Sequence, residues 1–272
     1  MQYNAVSTNG IIQLKGGTTM KKTLIILLAA CLVLPLSACG AKEKVTTIQN
    51  TEEIQMNKID WQKNVNDLPI VEFSGYTESP GFIAHSMSQL KQANKAVVKG
   101  TVYNLVKMDS PHNRAYTKVI FHIDEVISGD KSLQDKTINL AMHGGVTTSN
   151  SWYFNKNQTR EANHDIMVQY KESPPPQIGA QMIIGINPTD KKAPTEYVKA
   201  LKKNHFDFNK TYDIGMPLFN TWIKNPDAKK YILNNPEADK KLADDSAMKQ
   251  GMDKLTAELN KQFNNKGQNQ TR

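Results

Sequence analysis

Three successive segments, residues 95–103 (KAVVKGTVY), 116–127 (YTKVIFHIDEVI) and 137–142 (TINLAM), alternate with the two-residue period of a half-buried strand. In the first, Ala96, Val98, Gly100 and Val102 share one face; in the second, Val119, Phe121, Ile123 and Ile127 lie opposite His122 and Asp124; in the third, Ile138, Leu140 and Met142 line up. A Pro-bearing loop and the turn SGDKS join the three into a meander. Gly100, in mid-strand, marks a sharp bend or a close backbone approach. Residues 180–187 (AQMIIGIN) hardly alternate, as in a strand buried on both faces, and IMVQY is a further strand candidate before the stiff connector SPPPQIG.

Helical signals flank these strands. Met87, Leu90 and Ala93 are spaced three apart behind Ser86, an N-cap. Near the end, Asn225-Pro226-Asp227 and Asn235-Pro236-Glu237 each combine a cap, a proline suited to the first helical position and an acid at the positive helix end. After the second, Leu242, Met248, Met252, Leu255, Leu259 and Phe263 predict an amphipathic helix over 237–263, its stripe packed on the sheet.

The one long apolar run lies near the start. Lys21 and Lys22 precede LIILLAACLVLPL, residues 24–36, and Ser37, Ala38 and Cys39 follow. Basic, apolar and small residues in that order make a signal peptide. The run is too short, and broken by Pro35, to span a bilayer, which takes about 20 apolar residues. Leu36-Ser37-Ala38-Cys39 resembles the lipobox of bacterial lipoproteins. That resemblance implies cleavage between Ala38 and Cys39, a diacylglycerol on the Cys39 sulfur as the only cofactor-like group, and anchorage in the outer leaflet of the cytoplasmic membrane, facing outside. A competing box ends at Cys31, but it would leave an apolar mature start, whereas Cys39 is followed by the polar GAKEKVTTIQN. Residues 1–19 belong to no part of a signal peptide, so translation is expected to begin at Met20.

The resulting organisation is an extension over 1–19, a signal peptide over 20–38, the lipidated cysteine with a flexible tether over 39–58, and one exported domain over 59–272. The order AVVKGTV, EVISGD, Gly144-Gly145 and IGAQMIIGI, across residues 86–190, is similar to an uncharacterised domain of secreted and lipoprotein sequences of Gram-positive bacteria. The similarity implies an α+β fold: a small OB-like antiparallel β-barrel with a short N-terminal helix and a helical end over 225–264. It carries no activity with it.

Composition bounds the partners. With 39% hydrophobic and 22% charged residues the chain is neither wholly disordered nor a multispanning membrane protein. Its formal charge of +8 falls to +5 on removal of residues 1–38, which hold Lys15, Lys21 and Lys22 and no acid. Among 34 basic residues only Arg114, Arg160 and Arg272 are arginine, the side chain that reads phosphates and bases bidentately, so nucleic acid is a poor partner. A lysine-rich surface suits anionic lipid, anionic wall polymer or a protein partner. Once Cys39 is acylated no thiol remains for a disulfide, a metal or catalysis.

Motifs of hydrolysis, phosphoryl transfer and zinc catalysis do not occur in the sequence. His143, His164 and Asp165 flank a long polar loop and could meet on a divalent metal, although scattered histidines more often serve as ordinary polar residues, and no metal is expected. Trp152, Tyr153 and Phe154 in that loop are a candidate binding surface; the competing reading is that they fold back and pin it. The function that follows is a non-enzymatic binding or interaction module on a lipid anchor. Two alternatives stay open: the substrate-binding lipoprotein of an importer, and a wall-active hydrolase using acids such as Asp124 and Glu125.

Overall fold

A computed structural model of the chain describes residues 39–75, 82–156 and 162–264. The elements are α1 (Cys39–Val65), β1 (Ile70–Phe73), α2 (Met87–Ala93), β2 (Ala96–Lys107), β3 (Tyr116–Ser128), β4 (Thr137–His143), β5 (Gly145–Thr148), α3 (Ser149–Trp152), β6 (Asp165–Tyr170), β7 (Gln181–Pro188), α4 (Glu196–Lys203), β8 (Tyr212–Ile214), β9 (Thr221–Lys224), β10 (Ile232–Leu233), α5 (Ala238–Lys241) and α6 (Ser246–Phe263). The fold is α+β, and its strand pairs are mostly antiparallel. Residues 20–38, with Leu36, Ser37 and Ala38, lie outside the described residues; Cys39 is the first residue of α1.

The four expected strands are β2, β3, β4 and β7, and they form the heart of a seven-stranded sheet in the order β10-β9-β7-β2-β3-β4, with β8 as a seventh strand on β7. β7 pairs with β2 along one edge; on the other edge its first half pairs with β9 and its second half with β8. The β2–β3 ladder slips register at three places, one of them between Lys99 and Gly100. A Cβ at Gly100 would stand 2.1 Å from the His122 carbonyl oxygen and 2.6 Å from the Phe121 ring, so only glycine lets the two strands approach there.

The α+β class is as expected, and neither sheet closes on itself into a complete barrel. β4, the far edge, meets the chain leading into β8 through one isolated bridge, Asn139 to Thr211, and a 2.7 Å bond from Asn139 N to Lys210 O. β8 is only three residues long, and β9 takes the rest of the outer edge of β7, so no ladder spans the gap.

Both faces of the sheet are covered. Val98, Val102, Val119, Phe121, Leu140 and Met182 build the core of one side. The other side packs Val97, Ile183 and Trp222 against Leu90 of α2 and Met252, Leu255, Leu259 and Phe263 of α6. Each such side chain contributes about 1.5–3 kcal/mol on burial. Ser86 caps α2, accepting from Gln89 N, as its sequence position predicts.

Two expectations fail at the ends. Residues 40–58, expected as a coil tether with the domain starting near 59, lie in α1. Ile54, Asn57, Trp61 and Val65 fall one per turn on one side; Ile54 and Trp61 pack on the core around Val98 and Phe121, and the Asn57 amide donates to Tyr103 O at 3.0 Å. A stripe that sparse produces no sustained apolar periodicity. At the other end, Asn225-Pro226-Asp227 opens a turn before β10, not a helix, and the helix expected over 237–263 is broken into α5 and α6, the latter capped by Asp245 accepting from Met248 N. None of the described helices is long and apolar enough to cross a membrane.

A second sheet, β1-β6-β5, joins one parallel and one antiparallel pair. The chain passes from the first sheet to the second through Gly144 and Gly145, at φ of 90° and 130°, which L side chains rarely adopt. A Cβ on Gly145 would meet the Thr117 hydroxyl at 2.0 Å, while that hydroxyl donates to Gly144 O at 2.8 Å.

Candidate functional site

The crossing at Gly144 fixes the position of the residue before it, His143, at the end of β4. His143 pairs in register with Tyr116, the first residue of β3, and their rings lie 4.9 Å apart at 51°. The Tyr116 backbone N–H donates to the Ser110 hydroxyl at 2.9 Å, which holds the strand's start. Tyr197 arrives from the first turn of α4, a helix capped by Thr195 accepting from Val198 N, and meets Tyr116 edge-on at 5.6 Å. Asp213, in the middle of β8, receives two hydroxyl donors on one oxygen: Thr189 Oγ1 at 2.7 Å and Tyr197 Oη at 2.8 Å, both to Oδ1.

These four side chains line a recess of about 240 Å³, completed by the buried Ser173 and apolar Met142, Ile214 and Pro217. Burial pushes the His143 imidazole down to about 4, with the nearby Arg114 guanidinium acting in the same direction, so the ring is neutral at pH 7. Burial also raises the Tyr116 hydroxyl, against the pull of Arg114, and so Tyr116 stays protonated. Tyr170, 5.4 Å from the His143 ring, is raised by the same cause, against the pull of the Arg114 guanidinium. A recess walled by rings with a few fixed polar groups is the form in which small-molecule sites occur. A neutral imidazole, tyrosine hydroxyls and a carboxylate can orient a ligand there.

The residues singled out from sequence do not gather here, with the exception of His143. Trp152 is buried in the core of the small sheet, edge-on to Phe73 at 5.5 Å and to Tyr170 at 6.3 Å. Tyr153 packs on the same cluster, and the Lys156 ammonium lies 4.6 Å from the Trp152 ring centre. Only Phe154 is exposed among the three, at 37%, stacked on His112 at 3.8 Å. The competing reading of the loop therefore describes Trp152 and Tyr153, which pin it. His164 Nδ1 lies 2.7 Å from Ala162 O and Asp165 pairs with Lys107, and among the described residues no three His, Cys, Asp or Glu side chains are grouped to hold a metal ion. Asp124 accepts from the Thr101 hydroxyl at 2.7 Å, its carboxyl raised chiefly by burial.

Tyr116, Tyr197 and Asp213 were not visible as site residues. Tyr116 reads as the first residue of a strand, and Tyr197 and Asp213 lie in a segment without a recognisable motif; only the fold brings them together across nearly 100 positions. Beyond the recess, a basic cleft of about 630 Å³ is lined by Lys191, Lys192 and Lys202 together with His205, Phe206, Asp207 and Phe208. No protein-family model matches the chain, and no curated protein or solved structure matches it.

Proposed function

We propose that the protein is an exported lipoprotein of the Gram-positive type, held by diacylglycerol on Cys39 in the outer leaflet of the cytoplasmic membrane, whose folded part is a non-enzymatic binding module. The leader ending Leu36-Ser37-Ala38-Cys39 supports the anchor, and two acyl chains retain a protein stably where one does so only marginally. The observation that carries the binding role is the recess formed by Tyr116, His143, Tyr197 and Asp213, a concave site assembled from four separate elements. The OB-like reading of the module is supported by the Asn139–Thr211 bridge, which brings β4 to within one bond of the chain entering β8. The basic cleft beside Phe206 supports an attraction to anionic wall polymer.

Fractionation of cells making the full chain and its Cys39→Ala variant tests the anchor: the first stays with membranes and the second does not. Screening the purified full chain with small solutes, while following the tyrosine signals of the recess by NMR, tests the site. Saturable shifts of Tyr116 and Tyr197 are expected, and a library that moves neither contradicts the binding role.

A further inference from the structure

We propose that the recess takes the ammonium group of a small organic cation, with the Asp213 carboxylate as counter-ion and the rings of Tyr116, Tyr197 and His143 as walls. This rests on the reading of the recess as the binding site and adds the ligand's chemical class.

Both hydroxyls that reach Asp213 end on Oδ1, and both donors are neutral, so they orient the carboxylate without neutralising it. Oδ2 has no hydrogen-bond or ion-pair partner among the described residues. Of the side chains lining the recess, Asp213 is the only carboxylate and none is a lysine or arginine; His143 is neutral and the rest are tyrosine, serine and apolar residues. Arg114 does not line the recess, although its guanidinium is near enough to act on the His143 ring and the Tyr116 hydroxyl. An uncompensated carboxylate in a walled site favours a cation, repels an anion and gains nothing from a neutral solute.

The walls narrow the class further. Aromatic faces attract cations through the ring quadrupole, most strongly where water is excluded, and three rings line the recess together with this carboxylate. A divalent metal needs several oxygen or nitrogen ligands at fixed distances, whereas the recess offers one carboxylate and one histidine. The volume of about 240 Å³ matches a single headgroup, with any longer portion of the ligand left outside.

The test uses the full chain and four probes: tetramethylammonium, propylammonium, neutral tert-butanol and acetate, with the tyrosine ring signals followed by NMR. The two ammonium ions should shift Tyr116 and Tyr197 saturably, and tert-butanol and acetate should not. Asp213→Asn should weaken ammonium binding by about tenfold or more. Should that variant not fold, Tyr197→Leu, which removes a wall and leaves the carboxylate, should weaken it as well. Equal affinity for tert-butanol, binding of acetate, tighter binding of zinc or calcium than of either ammonium, or unchanged ammonium affinity in Asp213→Asn would each overturn the assignment. If neutral or anionic solutes occupy the recess, the binding-site reading stands and the ammonium class falls. If neither the four probes nor the solute library moves these signals, both fall.

Discussion

The Tyr197 hydroxyl donates to Asp213 Oδ1 at 2.8 Å, on the same oxygen that Thr189 reaches at 2.7 Å, so one carboxylate ties the first turn of α4 to the short strand β8. Tyr197→Phe removes that tie and keeps the ring. A hydrogen bond to a charged group contributes about 1.5–3 kcal/mol. With Thr189 still bound to the carboxylate, the variant should lose an amount near the lower end of that range in denaturant unfolding, and a midpoint unchanged from wild type would mean that the bond does not hold α4.

Leu255 is 1% exposed at the centre of the α6 stripe, between Met252 and Leu259. Leu255→Asp deletes packed methyl groups, at about 2–5 kcal/mol, and adds the burial of an unpaired charge. A thermal melt followed by circular dichroism should show a large fall in midpoint, and an unchanged midpoint would mean that α6 is not packed on the sheet.

His143 makes stability depend on pH. Burial, aided by Arg114, brings the folded-state value from 6.5 down to about 4. Between those values the unfolded chain binds the proton and the folded chain does not, so stability falls as pH falls. The contribution is complete above about pH 6.5, is lost by about pH 4, and is of order 3 kcal/mol for a single histidine shifted this far. His143→Gln should flatten the stability profile across that window. In the wild type, an imidazole NMR signal for His143 that titrates near 6.5 would contradict the assignment.

What the sequence makes legible is what depends on neighbours along the chain. Alternation reveals β2, β3 and β4, and an unbroken apolar run reveals β7, because each buries its side chains regardless of its partners, and the Ser86 cap and the α6 stripe are local in the same sense. α1 escapes because it needs only one buried contact per turn, Ile54 and Trp61 among polar neighbours, to be held by the core. The short strands β8, β9 and β10 escape because their pairing with β7 and with each other supplies what two to four residues cannot signal alone. The site follows the same rule. His143 stands out by type, but Tyr116 and Asp213 become a site only when β3, β4 and β8 are brought side by side, and the conspicuous Trp152 is consumed by the core of the smaller sheet.

The measurement that tests the account most directly is mass spectrometry of the N-terminus of the protein extracted from the membranes of a Gram-positive host. The account predicts a mature chain that begins at Cys39 and carries diacylglycerol on its sulfur. A chain that begins at Cys31, one that retains residues 20–38, or one with an unmodified Cys39 would contradict it.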